Sequence, residues 1–64
     1  MSYSENVKRI RESKGYSKTG LGKEAGLSTR CIEHIEYGKA QDPRISTLIK
    51  IAKALDVNIE ELIK

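Results

Sequence analysis

The sequence has few of the residues that stabilise small proteins by forming disulfides or by binding a structural metal. Its single cysteine, Cys31, cannot form an intramolecular disulfide, and its single histidine, His34, has no second histidine or cysteine pair for a structural zinc site. Phenylalanine and tryptophan are absent, so we expect no stacking platform for single-stranded nucleic acid. A chain of 64 residues is therefore expected to fold as one domain, residues 1–64, by packing alone, with no metal and no cofactor.

Long apolar runs are also missing. No stretch approaches the roughly 18 consecutive apolar residues that a membrane span needs, and the N-terminal residues lack the pattern of a signal peptide. Together with the unpaired cysteine, this predicts a cytoplasmic protein with no membrane partner. No nucleophile–base pair, carboxylate pair or phosphate-binding loop is present, so we do not expect an enzyme.

The net charge of +3 lies in one part of the chain. Residues 1–39 carry eight basic against five acidic side chains, whereas residues 40–64 carry four of each. This asymmetry favours an anionic partner for the first part of the chain.

Apolar residues recur with a helical period along most of the chain, and no convincing alternation of period two is present, which predicts an all-α fold. Ser17 and Ser28 have the character of helix N-caps, and Gly15 and Gly26 stand where glycine ends a helix. The predicted helices span residues 5–14, 18–25, 29–36 and 45–55, with a short last helix after a capping box that begins at Asn58. Residues 38–44 are predicted to form the one real loop.

Residues 18–37 have the spacing of two short helices that cross at a sharp angle. Gly22 leaves room at the crossing, and Gly26 tolerates the positive φ of the tight turn. The remaining apolar residues of this window are expected to seal the two helices against the core: Leu21, Ala25, Leu27, Ile32 and Ile35.

The helix predicted at residues 29–36 has an apolar side with Ile32 and Ile35 and an opposite polar side. The polar side carries side chains that reach base edges: Thr29, Arg30, Glu33 and His34. Such a helix is typical of those that lie in the major groove of double-stranded DNA.

The segment from Ser17 to Lys39, SKTGLGKEAGLSTRCIEHIEYGK, resembles the helix-turn-helix of the Cro and phage-repressor family. The resemblance continues through Pro43-Arg44 and IAKALDVNIEELI to about Ile63. It implies a compact five-helix, λ-repressor-like domain in which the second and third helices form the helix-turn-helix. The implied function is sequence-specific regulation of transcription, as a repressor, by a homodimer on double-stranded DNA in a bacterial or phage-like nucleoid.

The resemblance also implies roles for individual residues. Base reading falls on Thr29, Arg30 and His34, and the chemistry of Glu33 adds a possible acceptor for cytosine. The family's phosphate and minor-groove contacts fall on Ser17, Lys18, Tyr37, Lys39 and Arg44. An ion pair between the first and third helices falls on Arg11 and Glu36. The chain departs from the family at Gly20 and Gly22, where Glu and Ala are preferred, and at Gln41 and Asp42, in a loop that is often basic.

Several roles have alternatives that the sequence leaves open. Arg30 contacts either guanine or phosphate, or it is solvated. Glu33 either accepts from a base or only orients Arg30, and His34 is either a DNA contact or merely exposed. Cys31 is a small core filler or a redox switch. Arg11 and Glu36 are a pair or two solvated charges.

Two questions of assembly and function stay open in the same way. The leftover apolar residues are either core or part of a dimer patch: Ile49, Val57, Ile59 and Ile63. The alternative function is an antitoxin-like or anti-activator module that uses the same scaffold to bind a protein partner.

Overall fold

The computed structural model describes residues 3–38 and 44–63. Those residues form five helices and no strand, which confirms the predicted all-α class: α1 Tyr3–Ser13, α2 Lys18–Ala25, α3 Thr29–Glu36, α4 Ile45–Leu55 and α5 Ile59–Ile63. The bounds of α2, α3 and α4 are those predicted, whereas α1 begins two residues earlier than expected. Most of the predicted loop, with Gln41, Asp42 and Lys39, lies outside the described residues.

The helix ends follow the capping chemistry of the sequence. The Ser17 hydroxyl accepts a hydrogen bond from the Gly20 backbone N–H at 2.9 Å, and the Ser28 hydroxyl accepts one from the Cys31 N–H at 3.1 Å. Each bond satisfies a donor that the first turn of a helix leaves without an intrahelical partner. Gly26, with φ of 71°, ends α2 in the left-handed conformation and lets α3 begin three residues later.

The core lies where the five described helices meet. α3 packs against α1 and α2, while α4 packs against α2 and α5, and α5 returns to α1. The buried apolar side chains are Val7, Ile10, Leu21, Ala25, Ile32, Ile35, Leu48, Ile51, Ala52, Leu55 and Leu62. The predicted core residue Leu27 is only partly buried and packs at the edge of this cluster.

One buried polar group ties the two ends of the chain together. Asn6 is 1% exposed, and its side-chain Nδ2 donates to the Leu62 carbonyl oxygen at 3.0 Å. Because a buried amide without a partner is costly, this bond helps to fix α5 on α1. It was not predicted, since the residues are 56 positions apart.

The leftover apolar residues divide between core and surface. Val57 and Ile59 pack against the core, whereas Ile49 and Ile63 are 40% and 51% exposed. Ile45, which the sequence did not single out, is 60% exposed. None of the described helices is long and apolar enough to cross a membrane.

Gly22 is the position at which α2 meets the turn into α3 most closely. A Cβ atom placed there would lie 2.8 Å from the Leu27 carbonyl oxygen, a backbone atom. At Gly20 the corresponding Cβ would meet only side-chain atoms, the nearest being the Ser17 hydroxyl at 3.1 Å. The small residue predicted at the helix crossing is therefore required by contact with the backbone of the turn.

We expect Gly22→Ala to lower the free energy of unfolding by about 1–3 kcal/mol, because overpacking against backbone outweighs the gain in helix propensity. Gly20→Ala is the matched control, with the same gain in propensity and only side-chain neighbours to displace. Urea unfolding followed by circular dichroism measures both. Equal effects of the two variants would contradict a special role for Gly22.

Candidate nucleic-acid interface

α3 is held in the molecule by one side only. Ile32 and Ile35 are 0% and 2% exposed and belong to the core, while Cys31 is partly buried beside them. Arg30 and His34 are exposed on the other side, and Thr29 and Glu33 are partly exposed. The helix thus presents a polar face at the molecular surface.

Arg11 and Glu36 are paired in the structure and join α1 to the last turn of α3. Arg11 Nε donates to Glu36 Oε2 at 2.6 Å and Nη2 donates to Oε1 at 3.1 Å, so the contact is bidentate. Arg11 Nη1 also donates to the Tyr16 carbonyl oxygen at 2.7 Å. The two side chains are only 8% and 1% exposed. This hydrogen bonding to Glu36 raises the pKa of Arg11 above its ordinary value.

The first turns of α2 and α3 touch through two hydroxyl groups. Thr29 Oγ1 donates to Thr19 Oγ1 at 3.1 Å, ten residues away in sequence. This contact fixes the side chain of Thr29 at the start of the polar face. Thr19 was missed by the sequence analysis. The available signal was its position one residue into α2, which the helix-turn-helix spacing brings beside the start of α3.

Arg30 is available for a partner. Within residues 3–38 and 44–63 it makes no ion pair or side-chain hydrogen bond, with Glu33 or with any other group. A guanidinium that is exposed and unpaired presents its full set of donors to an incoming ligand. Glu33 is therefore not orienting Arg30 in this structure.

Lys18 and Tyr37 form a contact between the start of α2 and the end of α3. Lys18 Nζ donates to the Tyr37 hydroxyl oxygen at 2.9 Å and lies 4.9 Å from the centre of the tyrosine ring. The hydrogen bond to the Tyr37 hydroxyl raises the pKa of Lys18 above its ordinary value. Tyr37 is 60% exposed.

The other predicted positions are separate from this contact. Ser17 is exposed and its hydroxyl caps α2, and Arg44 is exposed directly before α4. Lys39 lies outside the described residues. Across the described parts of the chain, no group of three His, Cys, Asp or Glu side chains has the arrangement of a metal site.

Comparison with protein families and curated sequences gives a consistent result. The family model described as "Helix-turn-helix" matches residues 7–62. The HTH-type transcriptional regulator SinR of Bacillus subtilis is 32% identical over 59 residues, which are 92% of this chain and 53% of SinR. The SPbeta prophage-derived uncharacterized HTH-type transcriptional regulator YonR, from the same organism, is 34% identical over 62 residues, which are 97% of this chain and 56% of YonR. The chain thus spans about half the length of these relatives.

Solved structures show the same arrangement of helices. The restriction-modification controller protein C.AhdI from Aeromonas hydrophila matches with a TM-score of 0.89 at 27% identity, covering 94% of this chain and 89% of that one. The crystal structure of SinR, a master regulator for biofilm formation, in complex with DNA also matches with a TM-score of 0.89. Its identity is 32%, and the match covers 94% of this chain and 95% of that one.

We expect Glu36→Gln to lower the free energy of unfolding by about 3 kcal/mol, because it removes the one buried charged partner of the Arg11 guanidinium that the described residues show. Glu12→Gln is the control: it removes the same charge from a carboxylate that lies 3.9 Å from Arg11 but is 59% exposed. Because Glu12 is largely solvated, we expect its ion pair with Arg11 to contribute less than about 1 kcal/mol. Urea denaturation measures both, and a Glu36→Gln effect as small as the control would show that the buried pair does not hold α3.

Proposed function

The chain belongs to the helix-turn-helix family of the Cro and phage-repressor type, and from this membership we propose that it is a sequence-specific regulator of transcription that binds double-stranded DNA through α3. The observation that carries the proposal is the exposed polar face of α3 with an unpaired Arg30, opposite the buried Ile32 and Ile35. The match to a SinR structure solved in complex with DNA supports it.

In this proposal the polar face of α3 reads base edges in the major groove. Arg30 donates two hydrogen bonds to O6 and N7 of a guanine, which is the commonest specific contact of this side chain. Glu33 accepts from a cytosine amino group, and His34 contacts a base or a phosphate further along the groove. Thr29, whose hydroxyl is bonded to Thr19, contributes its methyl group and remaining acceptor capacity at the start of the helix.

A second set of residues positions the protein on the sugar-phosphate backbone. Lys18 and Tyr37 provide donors at the two ends of the helix-turn-helix. The Ser17 hydroxyl oxygen accepts a hydrogen bond from the Gly20 N–H, so its own proton remains available to donate to a phosphate oxygen. Lys39 and Arg44 are assigned to the backbone or the minor groove beside the loop that follows α3. Such contacts fix register and carry no direct sequence information.

The length of α3 argues for two copies on each operator. Eight residues form a helix about 12 Å long, which spans only about four base pairs. A homodimer doubles the sequence that is read and requires half-sites about one helical turn apart. We assign the contact with the second copy to Ile49 of α4 and Ile63 of α5, which are exposed and do not belong to the core.

A protein bound in this way blocks access to the duplex without any further contact, so we propose that it acts as a repressor. It would work in the cytoplasm at the nucleoid. The relatives with which it shares the fold are regulators of a bacterium and of its prophage.

Replacing Arg30 by Ala should remove sequence preference at one base position, a loss of about 1–3 kcal/mol of discrimination. Selection from random duplexes, with wild type and variant in parallel, measures it. Lys53→Ala is the control, because it removes the same charge from a different place. Lys53 lies beside Ala25, at the end of α2 that is opposite to Lys18. The control should select the wild-type sequence.

Two results would change this assignment. If Arg30→Ala weakens all duplexes equally, Arg30 contacts only phosphate. For wild type we expect affinity to fall with salt by a log–log slope of about −0.9 for each phosphate contacted. If wild type shows no salt-sensitive binding to any duplex, the alternative function, a module that binds a protein partner, is better supported than DNA binding.

Dimeric binding is testable with the selected half-site. A duplex with two half-sites about 10 base pairs apart should bind two copies cooperatively, and insertion of about 5 base pairs should abolish this cooperativity because the sites then face opposite sides of the helix. Ile63→Gln or Ile49→Gln should reduce cooperativity while leaving the affinity for a single half-site unchanged. Independent binding at every spacing would refute the dimer.

A further inference from the structure

Thr19 lies in the first turn of α2 and contacts the polar face of α3 through its hydroxyl group. Thr19 is exposed and Thr29 is partly exposed, so the 3.1 Å hydrogen bond between them lies at the molecular surface. Within residues 3–38 and 44–63 neither hydroxyl has a second hydrogen-bond partner in the protein. What this pair can do for a ligand therefore depends on the hydrogen-bonding capacity that their mutual bond leaves over.

The bond between the two hydroxyl groups restricts what Thr29 can offer to a base. A hydroxyl group has one proton and two acceptor lone pairs. Thr29 donates its only proton to Thr19, so its oxygen can only accept from a third group. A threonine without such a partner rotates its proton and suits donor and acceptor edges alike. The contact with Thr19 thus removes one of the two options of Thr29.

The surroundings of Thr19 favour the same direction of the bond when DNA is present. Ser17 and Lys18 directly precede Thr19 at the start of α2, and both are assigned to backbone phosphates in the proposed function. A phosphate oxygen only accepts hydrogen bonds, and its negative charge favours a Thr19 proton that points outward. Thr19 then accepts from Thr29, and hydrogen bonds in such a chain strengthen one another.

We propose that Thr19 determines specificity through Thr29: by accepting the Thr29 proton it makes Thr29 an obligate acceptor, which selects a base with an exocyclic amino group, adenine or cytosine. Guanine and thymine present oxygen acceptors in the major groove, and these would face another acceptor without a proton between them. Thr19 is thus a positioning residue that need not touch the base. The inference rests on the proposed function and adds to it one residue and one class of base.

Removal of the Thr19 hydroxyl should relax specificity without weakening the preferred site. In Thr19→Val the Thr29 proton is released, so Thr29 still accepts from an amino group and can also donate to guanine or thymine. Valine has nearly the shape of threonine and a similar helix propensity. A merely structural role of Thr19 would instead weaken binding to all duplexes alike.

The experiment is a selection from random duplexes with wild type, Thr29→Ala, Thr19→Val and Thr19→Ser in parallel. The position at which Thr29→Ala loses its preference is the one that Thr29 reads. Wild type should prefer adenine or cytosine there by about three- to tenfold, the effect of one hydrogen bond. Thr19→Val should reduce this preference to about twofold or less, and Thr19→Ser, which keeps the hydroxyl, should restore it.

A base analogue tests the atom that Thr29 contacts. Purine in place of the selected adenine, or 2-pyrimidinone in place of the selected cytosine, removes only the exocyclic amino group. Wild type should lose about three- to tenfold in affinity for the altered duplex, whereas Thr29→Ala should bind the altered and unaltered duplexes equally. Equal losses in the two proteins would overturn the inference, because the amino group would then be bound by another residue.

Thr47→Val is the matched control, because Thr47 is the remaining threonine of the chain and lies in α4. It should keep the wild-type preference, and unfolding curves check that all variants fold. If wild type binds no duplex, the proposed function fails and this inference fails with it. If wild type binds duplex DNA, the role of Thr19 alone fails under either of two results: guanine or thymine is preferred at the Thr29 position, or Thr19→Val keeps the wild-type preference.

Discussion

The position of α3 depends on the ion pair between Arg11 and Glu36. One guanidinium, carried by α1, binds both oxygens of the Glu36 carboxylate and the carbonyl oxygen of Tyr16. Both side chains are more than nine-tenths buried, so water cannot replace either partner. A buried pair of this kind adds little net stability compared with apolar side chains of similar size, yet its bidentate geometry is specific. We therefore interpret it as the contact that sets where the last turn of α3 lies.

The exposed face of α3 follows from its buried face. Ile32 and Ile35 point into the core, and the helical period then directs Arg30 and His34, four residues apart, to the opposite side. An isolated helix of eight residues would not be stable in water, so α3 exists because the core and its caps hold it. The same contacts that fold the helix thus present its polar side chains. This is why the buried contacts behind α3 matter to the surface that we assign to DNA.

The sequence was sufficient for features that depend on local chemistry. The bounds of α2, α3 and α4 were predicted because serine caps and glycine stops act within a few residues, and the family resemblance is confirmed by the match over residues 7–62. Contacts between helices were predicted only where the resemblance supplied them, as for Arg11 with Glu36. The bonds of Thr19 with Thr29 and of Asn6 with Leu62 depend on interhelical angles and rotamers, which a single sequence does not contain. The exposure of Ile45 was missed for the same reason.

The contacts around α3 together indicate that the surface we assign to DNA is ordered before any DNA binds. At the start of α3, the Ser28 cap fixes the first turn and the Thr19–Thr29 hydrogen bond fixes the Thr29 side chain. At the end of α3, Glu36 is paired with the buried Arg11, and the Tyr37 hydroxyl accepts a hydrogen bond from Lys18 at the surface. Side chains that are already ordered lose less entropy on binding than free ones do. Arg30, between these two ends, is by contrast exposed and unpaired in the described residues. The backbone of α3 is thus fixed, while Arg30, the side chain to which we assign base reading, is free to adjust. This arrangement would suit a helix whose register is set before one side chain selects a base.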